Sequence, residues 1–339
     1  IMDSYLINVG TYLPETRINN LDRLDEFGGD EDFIVKKTGV VSVSRKAADE
    51  TAVSMCLQAW EQLLEKEPEA ATDIEALIVV TQNPDNNIPH TSAILHGQLG
   101  LPKNCLTFDI SLGCSGFVAA LATMDGLIQS GAIKRGLIFT CDPYSVVVDE
   151  HDKGTALLFG DGAAVALVGN QGTLKLGSFD FGTNGKNGHY LQTVEGRLEM
   201  RGNAIFNFAA TSVPKSIQAV LNASGLTVDD IDLFALHQGS RYIVETIAKR
   251  IKLPSEKAPF VAAEYGNVVS SSIPFILEPY IDNQEVNTDI TFVYGASDTV
   301  LSAATSQSPD CASTEEAGLI GIEDMDCFQS VYFGNDRFQ

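Results

Sequence analysis

An alternation of strand and helix patterns most constrains what this chain can fold into. Two apolar runs typical of buried strands, "CLTFDIS" (105–111) and "RGLIFTCD" (135–142), flank the segment "GFVAALATMDGLIQSGA". Apolar residues in that segment recur every three or four positions, the spacing of one buried helix face, and Gly131 supplies a helix stop. A strand, a helix and a strand in this order predict a parallel pair with a crossover helix, and therefore an α/β fold.

The second half of the chain repeats this theme. The segments "ATDIEALIVVTQNP" (71–84) and "VDDIDLFALHQGS" (228–240) share a connector and an apolar strand, and both follow an amphipathic helix. Chance similarity of two such units is one explanation. A duplicated domain is the more specific explanation. A chain of 339 residues accommodates two medium-sized units. We predict an N-terminal half over 1–170, a C-terminal half over 171–306 and an acidic extension over 307–339.

Charge and composition exclude several classes of partner. The formal net charge is −23, and an acidic surface repels nucleic acid and anionic membranes. No apolar run reaches the roughly 18 residues needed to cross a bilayer, so we predict no membrane span. The N-terminus shows no signal-peptide pattern, and none of the six cysteines has metal-ligand spacing. We therefore predict a cytoplasmic protein with free thiols and no metal site.

The stretch "DISLGCSGFVAAL" (109–121) places Cys114 between glycines, where a strand hands over to a helix. The thiolate is the nucleophilic form of cysteine, and a helix N-terminus favours it. The N–H groups there can also stabilise an oxyanion, and Gly113 and Gly116 leave room for an acyl chain. A tight turn that needs small residues explains the pattern nearly as well, so the stretch alone leaves both explanations open.

Two polar residues of the second half are further candidates. His237 ends a buried strand, the position from which catalytic groups project in α/β sheets. Asn267 lies in the glycine-flanked turn "EYGNVVSSSIP". Taken singly, a satisfied core or edge residue is the favoured explanation of His237, and a turn-forming asparagine that of Asn267.

Four motifs in chain order resemble the ketoacyl-acyl carrier protein synthase III family of the thiolase-like superfamily. They are "DISLGCSGF", "TALLFGDGAAVALV" (155–168), "LFALHQGS" and "YGNVVSSSIP", and the resemblance spans roughly residues 3–306. It implies a thiolase-like α/β fold with five layers, α-β-α-β-α, built from two duplicated halves and usually found as a homodimer. This agrees with the internal repeat.

The resemblance also implies a role for each matching residue. Cys114 would accept the acyl group of a thioester, and His237 and Asn267 would donate hydrogen bonds to the carbonyl of a malonyl thioester. These donors would stabilise the enolate that forms when carbon dioxide leaves, before a Claisen condensation. The backbone at Cys114, Gly295 and Ala296 would stabilise the oxyanion. The implied substrates and partners are coenzyme A or acyl carrier protein thioesters, with no permanently bound cofactor.

The entrance to the site departs from the family pattern. Phe33 and Lys37 stand in "FIVKKTGV" where the family has Trp and Arg, and Lys153 stands for a second Arg. The resemblance implies that this Trp and the second Arg stack on the adenine of coenzyme A, so stacking should be weaker here. Ser240 and Arg241 in "HQGSRYIVE" also depart from the family. The matching catalytic residues are retained, whereas the entrance residues differ. Because of these differences we predict a specialised rather than a housekeeping pathway.

The loop "TQNPDNNIPHTS" (81–92) is expected to pass near a dimer axis. It would place Ile88 at the acyl pocket of the partner subunit. An ordinary polar loop is the alternative.

Three other functions fit parts of the pattern. An alcohol or amine could attack acyl-Cys114 with His237 as general base, which would make the protein an acyltransferase without carbon–carbon bond formation. A non-catalytic partner subunit is a second alternative, which the intact Cys, His and Asn set opposes. A papain-like protease also orders Cys, His and Asn, but Ser115 stands where it would have an aromatic residue.

Overall fold

The computed structural model describes residues 2–172, 174–283, 289–295 and 299–305. The first half contains β1 (Tyr5–Tyr12), β2 (Thr16–Asn19), β3 (Ser42–Arg45), α1 (Ala52–Lys66), β4 (Ala76–Val80), α2 (Thr91–Gln98), β5 (Leu106–Ile110), α3 (Gly116–Gln129), β6 (Arg135–Cys141), α4 (Lys153–Ala156) and β7 (Ala163–Gly169). The second half contains β8 (Leu174–Thr183), β9 (Leu191–Val194), β10 (Arg197–Met200), α5 (Gly202–Ser224), β11 (Ile231–Leu236), α6 (Arg241–Arg250), α7 (Ser272–Asp282), β12 (Asp289–Gly295) and β13 (Thr299–Thr305). The segment 307–339, predicted as an acidic extension, lies outside the described residues.

Two half-sheets join edge to edge into one sheet with the strand order β11-β12-β13-β8-β1-β7-β6-β4-β5. The join between β1 and β8 consists of the pairs Tyr5–Lys175 and Leu6–Leu174. Strand β4 is parallel to both β5 and β6 and lies between them. The predicted crossover from β5 through α3 to β6 is therefore confirmed as parallel, with β4 inserted between the two strands.

Helices cover both faces of each half-sheet. Helix α1 packs on the outer face of the first half-sheet, where its Trp60 ring lies 6.3 Å from that of Phe139. Helices α5 and α6 form the same kind of core on the outer face of the second half-sheet, with Phe234 at its centre. Both surfaces are apolar because the strands are buried on two sides, as parallel strands in α/β proteins are.

A third core lies between the two half-sheets. It combines α3 residues such as Phe117 and α7 residues such as Ile276 with strand residues from both halves, including Ile78 and Leu233. Successive residues of β4 alternate between this core and the α1 core, as the period of a strand requires. The layers are therefore helix, sheet, helix, sheet, helix, which confirms the predicted thiolase-like five-layer fold.

Glycine substitutions test how closely these layers approach. A Cβ on Gly10 of β1 would lie 2.5 Å from the carbonyl oxygen of Ala59 and 2.6 Å from the backbone nitrogen of Leu63, both in α1. We expect Gly10→Ala to lower the free energy of unfolding by about 1–3 kcal/mol. The backbone atoms of α1 can avoid the added methyl group only if the helix moves away from β1.

The matched control is Gly126→Ala in the exposed part of α3. A Cβ there meets nothing within 4 Å, so helix propensity should raise stability by roughly 0.5–1 kcal/mol. Urea denaturation of both variants gives the comparison. Equal midpoints for the two would contradict the close β1–α1 packing.

Candidate active site

Three loops of the first half meet at the carboxyl ends of the parallel strands β4, β5 and β6. Gln82, Cys114 and Asp142 follow these strands in turn. A pocket of about 290 Å³ opens at this edge, and Cys114 forms part of its wall. The site therefore lies where ligands bind in open α/β sheets.

Cys114 lies in the turn that precedes α3. The turn is closed by the Gly116 N–H, which donates to the Gly113 carbonyl at 2.9 Å. A Cβ on Gly116 would overlap the side chain of Val80, and one on Gly113 would lie 2.6 Å from Gln82 Oε1. The two glycines thus let the Cys114 turn pack closely against β4 and Gln82. As a result, the residue Cys114 is only 6% exposed.

Burial reverses the expected effect of the helix N-terminus on this thiol. Desolvation, followed by the negative charge of Asp142, raises the pKa of Cys114, and a backbone hydrogen bond opposes this only weakly. The sequence predicted a stabilised thiolate, and that prediction is wrong for the arrangement seen here. Removing water costs the charged form more than the backbone hydrogen bond returns to it.

Asp142 supplies that neighbouring charge. The residue is 1% exposed, and its carboxylate accepts hydrogen bonds from the Gln82 backbone N–H at 3.3 Å and from Asn83 Nδ2 at 2.7 Å. Burial raises the pKa of Asp142 to about 7, although these hydrogen bonds act in the opposite direction. The carboxyl therefore titrates near neutral pH beside the thiol.

His237 follows the last residue of β11 and is 8% exposed. Burial lowers its pKa to about 3, so the imidazole is neutral at physiological pH. Its Nδ1 lies 2.9 Å from the Ser272 hydroxyl oxygen, which also lies 2.8 Å from the carbonyl oxygen of Val269. The Ser272 hydroxyl has one proton. While it donates to the Val269 carbonyl, Nδ1 donates to the hydroxyl oxygen and Nε2 carries no proton; when the hydroxyl turns to Nδ1, the imidazole proton lies on Nε2.

Asn267 is held by its backbone and by its side-chain oxygen. Its N–H donates to Leu158 at 2.8 Å, and its carbonyl accepts from Gly160 at 3.0 Å. Its Oδ1 accepts from the Val269 N–H at 2.9 Å, so Nδ2 is the group that can donate to a substrate. Val269 holds a φ of +53°, a strained value for a β-branched residue, and this strain accompanies the Asn267 turn.

The predicted entrance residues gather around the segment Phe33–Thr38. The Lys153 ammonium lies 4.6 Å from the centre of the Phe33 ring. Asp30 accepts from Lys153 Nζ at 3.2 Å and from the Phe33 N–H at 3.0 Å, and so holds the two together. The Phe33 ring, which the resemblance assigns to adenine stacking, thus already contacts the lysine.

Three other entrance residues have different local roles. Arg241 lies 4.7 Å from the centre of the Phe260 ring and packs so tightly on Gly39 that a Cβ there would overlap it. Exposed Lys37 belongs to the segment that Gly39 ends. The Ser240 hydroxyl caps α6 by accepting from the Ile243 N–H at 3.2 Å. Their predicted contact with substrate stays a prediction.

Two predicted positions lie away from this description. Gly295 ends β12, but Ala296 lies outside the described residues, so the second oxyanion group stays a prediction. Ile88 is 91% exposed in this single chain. Its loop is anchored at both sides, because Asp85 accepts from Ala52 and Val53 and Asp109 accepts from Thr91 and Ser92.

Sequence analysis missed four residues of the site: Gln82, Asp142, Tyr144 and Ser272. Polar residues directly after the buried strands β4 and β6 are a signal that could have found Gln82 and Asp142. Tyr144 and Ser272 matter only through partners distant along the chain, so no local pattern marks them.

Within the described part of the chain, no group of three His, Cys, Asp or Glu side chains could hold a metal ion. Among the described helices, none has the length and hydropathy needed to cross a membrane.

The raised pKa of Cys114 predicts its pattern of alkylation. A thiol protonated at neutral pH exposes about tenfold more thiolate with each unit of pH, so iodoacetamide labelling should climb steadily from pH 7 to pH 10 without a plateau. Asp142→Asn removes the neighbouring negative charge and should speed labelling several-fold at pH 8. Mass spectrometry of the Cys114 peptide measures both rates, and a plateau below pH 8 would show a lowered pKa instead.

Comparison with known proteins places this geometry in a family. Residues 108–185 match the profile described as 3-oxoacyl-[acyl-carrier-protein (ACP)] synthase III, and residues 221–304 match that of its C-terminal part. The chain is 35% identical over 287 residues to the beta-ketoacyl-[acyl-carrier-protein] synthase III of Lactococcus lactis subsp. cremoris. The aligned region covers 80% of this chain and 88% of that protein. It is also 33% identical to the enzyme of the same name from Streptococcus equi subsp. equi. That alignment covers 84% of this chain and 92% of the Streptococcus protein.

A solved structure gives the same answer. The crystal structure of the beta-ketoacyl-[acyl carrier protein] synthase III of Thermus thermophilus superposes with a TM-score of 0.84 at 29% identity, covering 90% of this chain and all of the other. With its thiolase-like fold, its Cys114 turn and these relatives, the chain belongs to the 3-oxoacyl-[acyl-carrier-protein] synthase III family of condensing enzymes.

Proposed function

We propose that this protein loads an acyl group from a thioester onto Cys114 and then condenses it with a malonyl thioester, giving a 3-oxoacyl thioester. The observation that carries this proposal is the hydrogen-bonding state of the second-half residues. His237 is a neutral imidazole, and the Asn267 side chain has its oxygen occupied and its Nδ2 available. Asn267 Nδ2 is therefore suited to donate to an oxygen that becomes negative, and His237 joins it in the tautomer that carries its proton on Nε2.

The loading step is an exchange of thioesters. The Cys114 sulfur attacks the thioester carbonyl, and the bond between that carbon and the carrier sulfur breaks. The proton of the Cys114 thiol ends on the departing carrier thiolate, so the reaction releases a free thiol. Because burial raises the pKa of Cys114, proton transfer must accompany the attack.

The condensation step uses the two donors. The malonyl group loses carbon dioxide, and the electrons of the broken carbon–carbon bond form an enolate whose oxygen accepts hydrogen bonds from His237 and Asn267. The enolate carbon attacks the acyl-Cys114 carbonyl, with the backbone N–H of Cys114 and the segment at Gly295 and Ala296 proposed to stabilise the oxyanion. The tetrahedral intermediate expels the Cys114 thiolate, which takes up a proton from water to restore the resting thiol, and leaves a 3-oxoacyl thioester.

The same observation weighs against the acyltransferase alternative. A general base is most effective when its pKa lies near the working pH, and the pKa of His237 is about 3. An imidazole that binds protons this weakly activates an alcohol or amine poorly, while its N–H remains a good hydrogen-bond donor. A non-catalytic subunit would not require these orientations.

We further propose a homodimer that acts on carrier-protein or coenzyme A thioesters in a specialised pathway. An apolar side chain that is 91% exposed on an anchored loop suits Ile88 to a contact with the partner subunit. Lys37, Lys153 and Arg241 are cations that an acidic carrier could contact, although Asp30 pairs with Lys153 and Glu245 lies 3.9 Å from Arg241. The altered entrance residues favour specialisation.

Intact-mass analysis with a panel of acyl thioesters tests the proposal. We expect wild type, but not Cys114→Ala, to gain the mass of the acyl group. Malonyl-carrier protein should then discharge it with release of carbon dioxide. His237→Ala and Asn267→Ala should load normally and release carbon dioxide about 10²–10³-fold more slowly. Discharge by an alcohol or amine without carbon dioxide would establish the acyltransferase instead.

The Phe33–Lys153 contact predicts weak recognition of coenzyme A. Adenine would have to displace the lysine from the ring, so we expect the double substitution Phe33→Trp and Lys153→Arg to lower KM for acyl-coenzyme A about two- to fivefold. KM for the acyl-carrier protein should change less. Lys249→Arg on the exposed face of α6 is the control, and an unchanged coenzyme A KM in the double variant would refute the adenine role.

A further inference from the structure

The pocket at Cys114 has an unusually polar wall for a chamber that would hold an acyl chain. Gln82, Asn83, Tyr144, Gln192 and Thr193 line it together with a few apolar residues. Neither His237 nor Asn267 is among the described residues that line it. The pocket is therefore suited to the group attached to Cys114 rather than to the second substrate. Its volume of about 290 Å³ is at the small end for a ligand site, which favours a short chain.

The amide of Gln82 has a defined orientation in this wall. The Tyr144 hydroxyl donates to Gln82 Oε1 at 2.7 Å, and Tyr144 is 5% exposed. Burial raises the pKa of Tyr144 well above its ordinary value, so the hydroxyl keeps its proton. With Oε1 occupied, the Nε2 amide of Gln82 remains as a donor.

This donor lies close to the thioester end of the pocket. A Cβ on Gly113, the residue before Cys114, would lie 2.6 Å from Gln82 Oε1 and 3.1 Å from the Tyr144 hydroxyl. A purely alkyl chain in the pocket would displace water from the Gln82 amide without replacing its hydrogen bond. An unmatched donor of this kind weakens binding by about tenfold.

The negative charge of Asp142 disfavours the binding of an anion in the pocket. Its buried carboxylate is tied to Asn83 of the wall at 2.7 Å, and its charge acts on both Cys114 and Tyr144. A carboxylate at the end of an acyl chain would add a like charge close to the buried Asp142. The wall therefore favours an oxygen acceptor that carries no charge.

Building on the proposed function, we propose that the acyl group loaded on Cys114 is short and carries an uncharged oxygen, such as a hydroxyl, on one of its first few carbons. This oxygen accepts a hydrogen bond from Gln82 Nε2, and Tyr144 positions the amide. A pocket that hydrogen-bonds a substrate hydroxyl discriminates strongly against the analogue that lacks it.

Two thioesters of nearly equal shape provide the test. The 3-hydroxybutyryl and 3-methylbutyryl groups differ by a hydroxyl in place of a methyl, and succinyl supplies an anionic chain. With each group on the same carrier thiol at pH 8, we expect wild type to load 3-hydroxybutyryl on Cys114 at least tenfold faster than 3-methylbutyryl, with succinyl slowest. Time-resolved intact mass gives the three rates.

Variants of the wall assign the preference to its residues. Gln82→Leu should reverse the preference between the two matched thioesters, and Tyr144→Phe should reduce it by releasing the amide. Gln218→Leu, on the exposed face of α5, should leave all three rates unchanged. The reversal requires a folded pocket that still loads 3-methylbutyryl, so a collapsed variant cannot imitate it.

The outcomes separate this proposal from the one on which it rests. Equal or faster loading of 3-methylbutyryl by wild type, or fastest loading of succinyl, overturns the polar acyl group while leaving Cys114 acylation intact. A preference for 3-hydroxybutyryl that survives in both Gln82→Leu and Tyr144→Phe also overturns it. Failure of every thioester to acylate Cys114 overturns the proposed function itself.

Discussion

The burial of α3 between the two half-sheets is the constraint on which the site depends. Its apolar face contacts strands of both halves, so the N-terminus of α3 is held at the edge where β4, β5 and β6 end. Gly116 permits this because any larger residue would overlap Val80 of β4. The position of Cys114 is therefore a consequence of core packing.

The same burial sets the electrostatics of the site. Removal of water keeps His237 neutral, protonates Cys114 and brings Asp142 to titrate near neutral pH. A dry site strengthens each hydrogen bond that its donors make to a developing oxyanion. It also makes the resting thiol less reactive, so in the proposed loading step the attack by the Cys114 sulfur would depend on a substrate that takes up the proton.

The entrance and the acyl pocket differ in how firmly their polar groups are held. At the entrance, Asp30 fixes Lys153 against Phe33 on an exposed surface, where such pairs contribute little energy and rearrange easily. In the pocket, buried Tyr144 fixes Gln82, and buried Asp142 fixes Asn83. Under the proposed function, selectivity for the acyl group would rest on the polar groups that buried residues hold, and access for the carrier on the more exposed contacts of the entrance.

By itself, the sequence determined the α/β class and the β5-α3-β6 crossover, and its resemblance to a family predicted which residues a site would use. Strand and helix periods connect residues two to four positions apart, and motif spacing is equally local. The insertion of β4 between β5 and β6, the raised pKa of Cys114, the Tyr144–Gln82 pair and the Phe33–Lys153 contact were decided only by the tertiary structure. Each depends on which distant segments exclude water from one another, and desolvation is a property of three-dimensional packing that no short stretch of residues encodes.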